Sequence, residues 1–227
     1  MDTLTRPRAA TAPSEAAQAP GDTPPAPDEI TPRRVDRIAG VRLLDGRVVD
    51  VDIDGDSVLA VSSAGDSEAP GPAVIDGRGF LALTAPAEPH AHLDKALSWG
   101  ATRPPGCDLG AAIDAWRAFA VTVDQDEIHA RALAAARRLV ANGTTAVRSH
   151  VDLHSEGDPL RGVRALVRVR DELASVLDLQ IAVMVRDEDP ADRARDAIAA
   201  GADLIGGAPH IAPDTAAETH RLIDLAE

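Results

Sequence analysis

Glu88-Pro89-His90-Ala91-His92-Leu93-Asp94-Lys95, which follows the apolar run Phe80-Leu81-Ala82-Leu83-Thr84-Ala85, is the stretch on which the fold turns. In a β-strand successive side chains point to opposite faces, so residues i and i+2 share one face. Read as a strand and its end, the stretch aims His90 and His92 at one point in space. Imidazole is a preferred ligand of zinc and of other first-row metals. Two ligands leave a tetrahedral site open, and the chain reaches Glu227 without a convincing third and fourth.

Beyond this stretch, apolar strands alternate with helical patterns. Helices are expected at 108–120 and 124–141, the second stopped by Asn142-Gly143. Further strands are expected at 144–150, 179–185 and 202–207, and helices at 160–176, from Pro190 to 200, and at 214–226. Such alternation indicates a parallel sheet buried on both faces. Residues 80–227 thus read as about four βα units. Before them, the β-rich runs 38–44, 48–53, 57–61 and 73–76 are punctuated by Asp45-Gly46, Asp54-Gly55 and a loop at 62–72. Residues 35–79 read as a small antiparallel β module, and the Pro/Ala-rich residues 1–34 as a disordered tail.

Composition narrows the function classes. The 227 residues are 44% hydrophobic but only 2% aromatic, so the core is aliphatic. The net charge of −14 repels phosphate backbones and no basic stripe offsets it, which argues against nucleic acid. No stretch is long and apolar enough to span a bilayer. Cys107 stands alone and excludes an intrachain disulfide, which fits a reducing cytoplasm.

With these residues in view, the chain resembles the amidohydrolase superfamily, metal-dependent hydrolases on a (β/α)8 barrel, and within it the cytosine deaminase-like group. The resemblance rests on Glu88-Pro89-His90-Ala91-His92-Leu93-Asp94 on the first strand and Ser149-His150-Val151-Asp152 on the second. It continues with Leu179-Gln180-Ile181 opening the third and Gly201-Ala202-Asp203-Leu204-Ile205-Gly206-Gly207-Ala208-Pro209-His210 on the fourth. It spans roughly 38–227. The fold class implied is α/β, the N-terminal half of a TIM-type barrel preceded by the β module.

The resemblance implies one divalent metal, zinc or iron, held by His90 and His92 at the barrel mouth. It implies hydrolytic deamination of a cyclic amidine or N-heterocycle as the reaction. His150, Asp152 and His210 match positions near a small-molecule substrate; a structural role is the alternative for each histidine. Asp94 shares the parity of the two histidines and could orient an imidazole from behind, or cap a turn; Lys95 matches relatives too, with a solvated lysine as its alternative. Where the group offers Phe-Pro-Gln, this chain reads Val185-Arg186-Asp187, which puts pyrimidine specificity in doubt. Arg186 suits a carboxylate-bearing or electron-rich substrate, or else pairs at the surface with Asp187 or Glu188. His129, His154 and His220 are expected to face solvent.

Members of the group complete their site with residues from later strands. None of these precedes Glu227, so no catalytic residue is identifiable and the isolated chain is expected to be inactive. Four strands also leave two barrel edges, which invite homo-oligomerisation or pairing with another chain. The alternatives to an enzyme are an inactive truncated fragment and a half-barrel binding protein.

Overall fold

The computed structural model describes residues 34–65, 73–103 and 108–227. The expected tail up to residue 33, much of the 62–72 loop and Cys107 lie outside the described residues.

Two four-stranded sheets form. In the first, β1 (Arg37–Arg42), β2 (Val48–Asp54), β3 (Ser57–Ser63) and β4 (Val74–Asp76) lie in the order β3-β2-β1-β4. Gly46 and Gly55 take positive φ, +89° and +62°, in the two hairpin turns, as the Asp-Gly pairs require. The expected antiparallel module is corrected to a mixed one: β4 pairs with β1 in parallel. It follows a long connection rather than a tight turn, and a parallel neighbour needs such a crossover.

The apolar run 80–85 is not the strand that carries the histidines. Only Leu81 bridges to Arg42, with Arg42 N donating to the Phe80 carbonyl at 3.1 Å and Ala82 N to the Arg42 carbonyl at 2.8 Å. The run therefore extends the β module and leaves Phe80 and Leu83 exposed. The first strand of the second sheet is β5 (Ala87–Ala91). Pro89 inside it lacks an N–H, which an edge strand tolerates.

The second sheet is parallel throughout, in the order β5-β6-β7-β8, with β6 (Ala146–Asp152), β7 (Asp178–Met184) and β8 (Leu204–Gly206). Between β5 and β6 run α1 (Trp99–Thr102), α2 (Leu109–Ala120) and α3 (Gln125–Ala141). The helices α4 (Arg161–Leu173), α5 (Ala191–Ala199) and α6 (Thr215–Ala226) follow β6, β7 and β8 in turn. Three helices start on an aspartate whose carboxylate accepts the amide three residues on: Asp108 for α2, Asp124 for α3 and Asp214 for α6, at 2.9, 2.9 and 3.0 Å. Helix α4 presents Val163, Leu166, Val169 and Leu173, at helical spacing, to Val151, Ile181 and Val183 of the sheet. Fully burying each such side chain stabilises the fold by roughly 1.5–3 kcal/mol. Small buried side chains, Ala132 and Ala136 on α3 and Ala194 and Ala197 on α5, let α3 pack against α4 and α5 against β8. The C-terminal edge of this sheet carries the candidate site.

Candidate functional site

At the C-terminal ends of β5 and β6 three imidazoles meet. His90 lies on β5, His92 directly after it, and His150 on β6. Ring centres are 5.3 Å apart for His90 and His92, 4.3 Å for His90 and His150, and 5.6 Å for His92 and His150. His90 is exposed; His92 and His150 are half-buried. Burial, and then the ammonium of Lys95, holds His92 below the usual imidazole value. Burial, and then the neighbouring His90 and His92, does the same for His150. A neutral ring is the form that ligates a metal. Nδ1 of His150 is buried without a protein partner.

Behind the imidazoles lies a charged network. Lys95 Nζ stands 3.1 Å from Asp94 Oδ2, 2.9 Å from Asp152 Oδ1 and 3.4 Å from His92 Nδ1. Asp152 also accepts from the indole N–H of Trp116, on α2, at 3.1 Å, and its backbone amide donates to Asp94 Oδ2 at 3.2 Å. Burial opposes the charge on Lys95, but Asp94 and Asp152 together outweigh it and keep the ammonium above the usual lysine range. Burial likewise pushes up Asp152, yet Lys95 and then Trp116 bring it below the usual carboxylate range. Asp94 is fully buried and leaves Oδ1 without a partner; burial there outweighs Lys95 and pushes its carboxyl up.

The structure brings His90, His92, Asp94, Lys95, His150 and Asp152 together. It does not bring Arg186 or His210 into contact with them. Arg186 binds Asp189, with Nε and Nη2 each at 3.1 Å, and Glu188 at 2.7 Å. Its ion-pair partners are therefore Glu188 and Asp189, not Asp187. His210 is exposed on the short 3-10 turn Pro209–Ile211, and no ring contact joins it to the three clustered imidazoles. The expectation that three further histidines face solvent is corrected for two of them. His154 is buried in the β6–α4 loop, where burial and then Arg161 push its imidazole down to about 4. His129 is half-buried and meets Glu172 at 2.8 Å; only His220 is exposed.

Residues unforeseen in the sequence complete the arrangement. Arg131 of α3 donates through Nη1 to the carbonyls of Asp94 and Ala96, at 2.9 and 2.8 Å. In sequence it reads as half of an ordinary i,i+4 pair with Glu127. Trp116 reads as an apolar anchor of an amphipathic helix. No periodicity announces that either reaches the turn after β5.

The donor set fits a metal of the zinc or iron kind. Two imidazoles on one tetrahedral ion, with bonds of 2.0–2.1 Å, have ring centres about 5 Å apart, which is the separation of His90 and His92. Among the described residues, no group of three or more His, Cys, Asp or Glu side chains is arranged to hold an ion. Nor is any described helix long and apolar enough to cross a membrane.

No family model and no curated protein sequence matches the chain. Solved structures do. The 5-methylcytosine deaminase of Klebsiella pneumoniae, liganded with 5-fluorocytosine, superposes with a TM-score of 0.72 at 28% identity, covering 84% of this chain and 48% of its own. N-isopropylammelide isopropylaminohydrolase from Burkholderia multivorans gives 0.67 at 30% identity over the same shares, 84% and 48%. The triazine hydrolase of Arthobacter aurescens, at 16% identity and a TM-score of 0.51, shares the fold alone. The chain spans about half the length of the structures it matches. With its half-barrel of four parallel strands, the chain has amidohydrolase superfamily members, cytosine deaminase and triazine hydrolases, as its structural neighbours, and it matches the N-terminal part of those chains.

Proposed function

We propose that the chain serves metal-dependent hydrolysis of a C–N bond in a cyclic amidine or aminated N-heterocycle. The observation that carries this reading is the convergence of His90, His92 and His150 at the C-terminal mouth of a parallel sheet, where such barrels place their chemistry. His90 and His92 would hold one divalent ion, zinc or iron. When bound, the ion supplies Lewis acidity and lowers the pKa of water. The chain's own residues do the rest of what is visible. Lys95 stands behind His92 and limits how far that ring can turn. Asp152 keeps a negative charge beside the imidazoles, and Trp116 fixes its carboxylate. His150, with a free buried Nδ1, offers a hydrogen-bonding atom toward a small-molecule substrate.

Two imidazoles on their own bind a metal weakly, so we read the chain by itself as inactive. Titration of the chain with zinc by calorimetry tests the site. Weak binding that disappears in His90→Ala and His92→Ala, at least about 10-fold for each, is expected; binding unchanged in both would end the metal reading. Ammonia release from aminated pyrimidines and triazines by the zinc-loaded chain should stay at background.

One observation favours a second reading, a half-barrel that pairs with another chain. Among the described residues β5 and β8 are unpaired edges, and Ile198, Ile211 and Ile223 on the elements after β7 and β8 are exposed. A stable monomer in light scattering would remove it.

A further inference from the structure

Lys95 is the single lysine among the chain's 23 Lys and Arg residues. Everywhere else a cation is needed, the chain uses arginine. At position 95 a compact ammonium stands between Asp94, Asp152 and His92. The turn that carries it is held from outside. Leu97 takes φ of +59°, a conformation that a large side chain keeps only under constraint from its surroundings.

Ser98 holds the turn from within, its hydroxyl donating to the Lys95 carbonyl at 2.6 Å, and α3 holds it from outside. Nη1 of Arg131 donates to the carbonyls on either side of Lys95, those of Asp94 and Ala96. Its Nε and Nη2 donate to the two carboxylate oxygens of Glu127 at 2.6 and 2.9 Å. The guanidinium also lies 5.9 Å from the ring centres of Trp116 and of Phe119. The side chain is only 13% exposed, and every one of these contacts is used at once.

We propose that Arg131 is a positioning residue for Lys95: anchored on Glu127, it clamps the two carbonyls that flank the lysine and so keeps the ammonium between Asp94, Asp152 and His92. The inference rests on the reading of this mouth as the functional site, but it concerns only the chain's own residues. A lysine at 131 could pair with Glu127 or reach a carbonyl, but not do both with the same geometry. Charge alone therefore does not replace the clamp.

Hydrogen exchange of the full chain, read by mass spectrometry without added metal, tests this. The amides of Lys95, Ala96 and Ser98 donate to the carbonyls of His92, Leu93 and Lys95, so they report the turn. In Arg131→Met, which keeps the stem over the two rings, their exchange should quicken at least about 10-fold while amides of β6 and β7 hold their rates. Acylation of Lys95 should quicken in parallel. Arg131→Lys should fall between Arg131→Met and the unsubstituted chain. Wild-type exchange of the turn in either variant would overturn the proposal, as would an equal quickening in β6 and β7. Should Arg131→Met fail to fold, Glu127→Gln, which loosens the anchor alone, should quicken the turn about threefold, and an unchanged rate overturns the proposal equally. Zinc titration is a separate readout: a turn-specific effect in a chain that binds no zinc keeps the role of Arg131 and discards the metal site.

Discussion

The two sides of the barrel mouth handle buried polar groups in opposite ways. On the β7 side, Asp189 is 4% exposed and saturated: it accepts from the Arg186 amide at 2.9 Å, from the Arg186 guanidinium twice, and from Arg193 at 3.3 Å. On the β5–β6 side, Asp94 Oδ1, His150 Nδ1 and His154 Nε2 are all buried without a protein partner. Buried polar atoms are nearly always paired, because an unmade hydrogen bond costs about 1–3 kcal/mol. One side is finished by its own side chains. The other keeps open atoms next to the three imidazoles, which is what a site that takes a ligand looks like. Both contain buried carboxylates beside cations, so burial and charge alone do not tell the two sides apart; the atoms left without a partner do.

The sharpest test of this contrast is pH. The His154 imidazole has an ordinary value of 6.5 and about 4 in the fold, so the native chain holds it neutral where the unfolded chain protonates it. Its contribution is therefore complete above pH 6.5 and lost as pH falls toward 4, by up to about 3 kcal/mol. Urea denaturation between pH 7 and 4 should show that fall in the parent chain and a flatter profile in His154→Gln. Identical profiles would mean that His154 is not buried neutral.

Next in size is the saturated carboxylate. Asp189→Ala strands Arg193 and the Arg186 amide and leaves the Arg186 guanidinium only Glu188, and should cost about 2–3 kcal/mol in the same assay at pH 7. Asp94→Asn, on the open side, keeps an oxygen for the Asp152 amide and relieves a buried carboxyl. It should change stability by less than about 1 kcal/mol. If Asp94→Asn costs as much as Asp189→Ala, the contrast between the two sides collapses.

Much of this was legible in the primary structure. Alternating apolar strands and helices, aspartate caps and the Asn142-Gly143 stop located the parallel half-barrel to within a few residues, because those signals are local. The H-x-H placed His90 and His92 together, because two residues are one strand repeat. The misreadings share a cause. The run 80–85 has strand composition, but only pairing decides whether a strand forms, and its neighbour is Arg42 of the β module. Likewise β4 lies parallel to β1 because of where its connection runs.

What the sequence by itself determined was the order of elements, an aliphatic parallel core and a pair of imidazoles at one strand end, all consequences of periodicity along the chain. Only the tertiary structure decided that Trp116 and Arg131, remote in sequence, converge on the turn holding Lys95. It alone decided that His154 is buried, that Arg186 is spent on Asp189, and that His210 stands apart from the clustered imidazoles. The convergence on that turn depends on which side chains meet across 35 to 60 residues of chain, and contact at that range follows from packing, which no local repeat encodes.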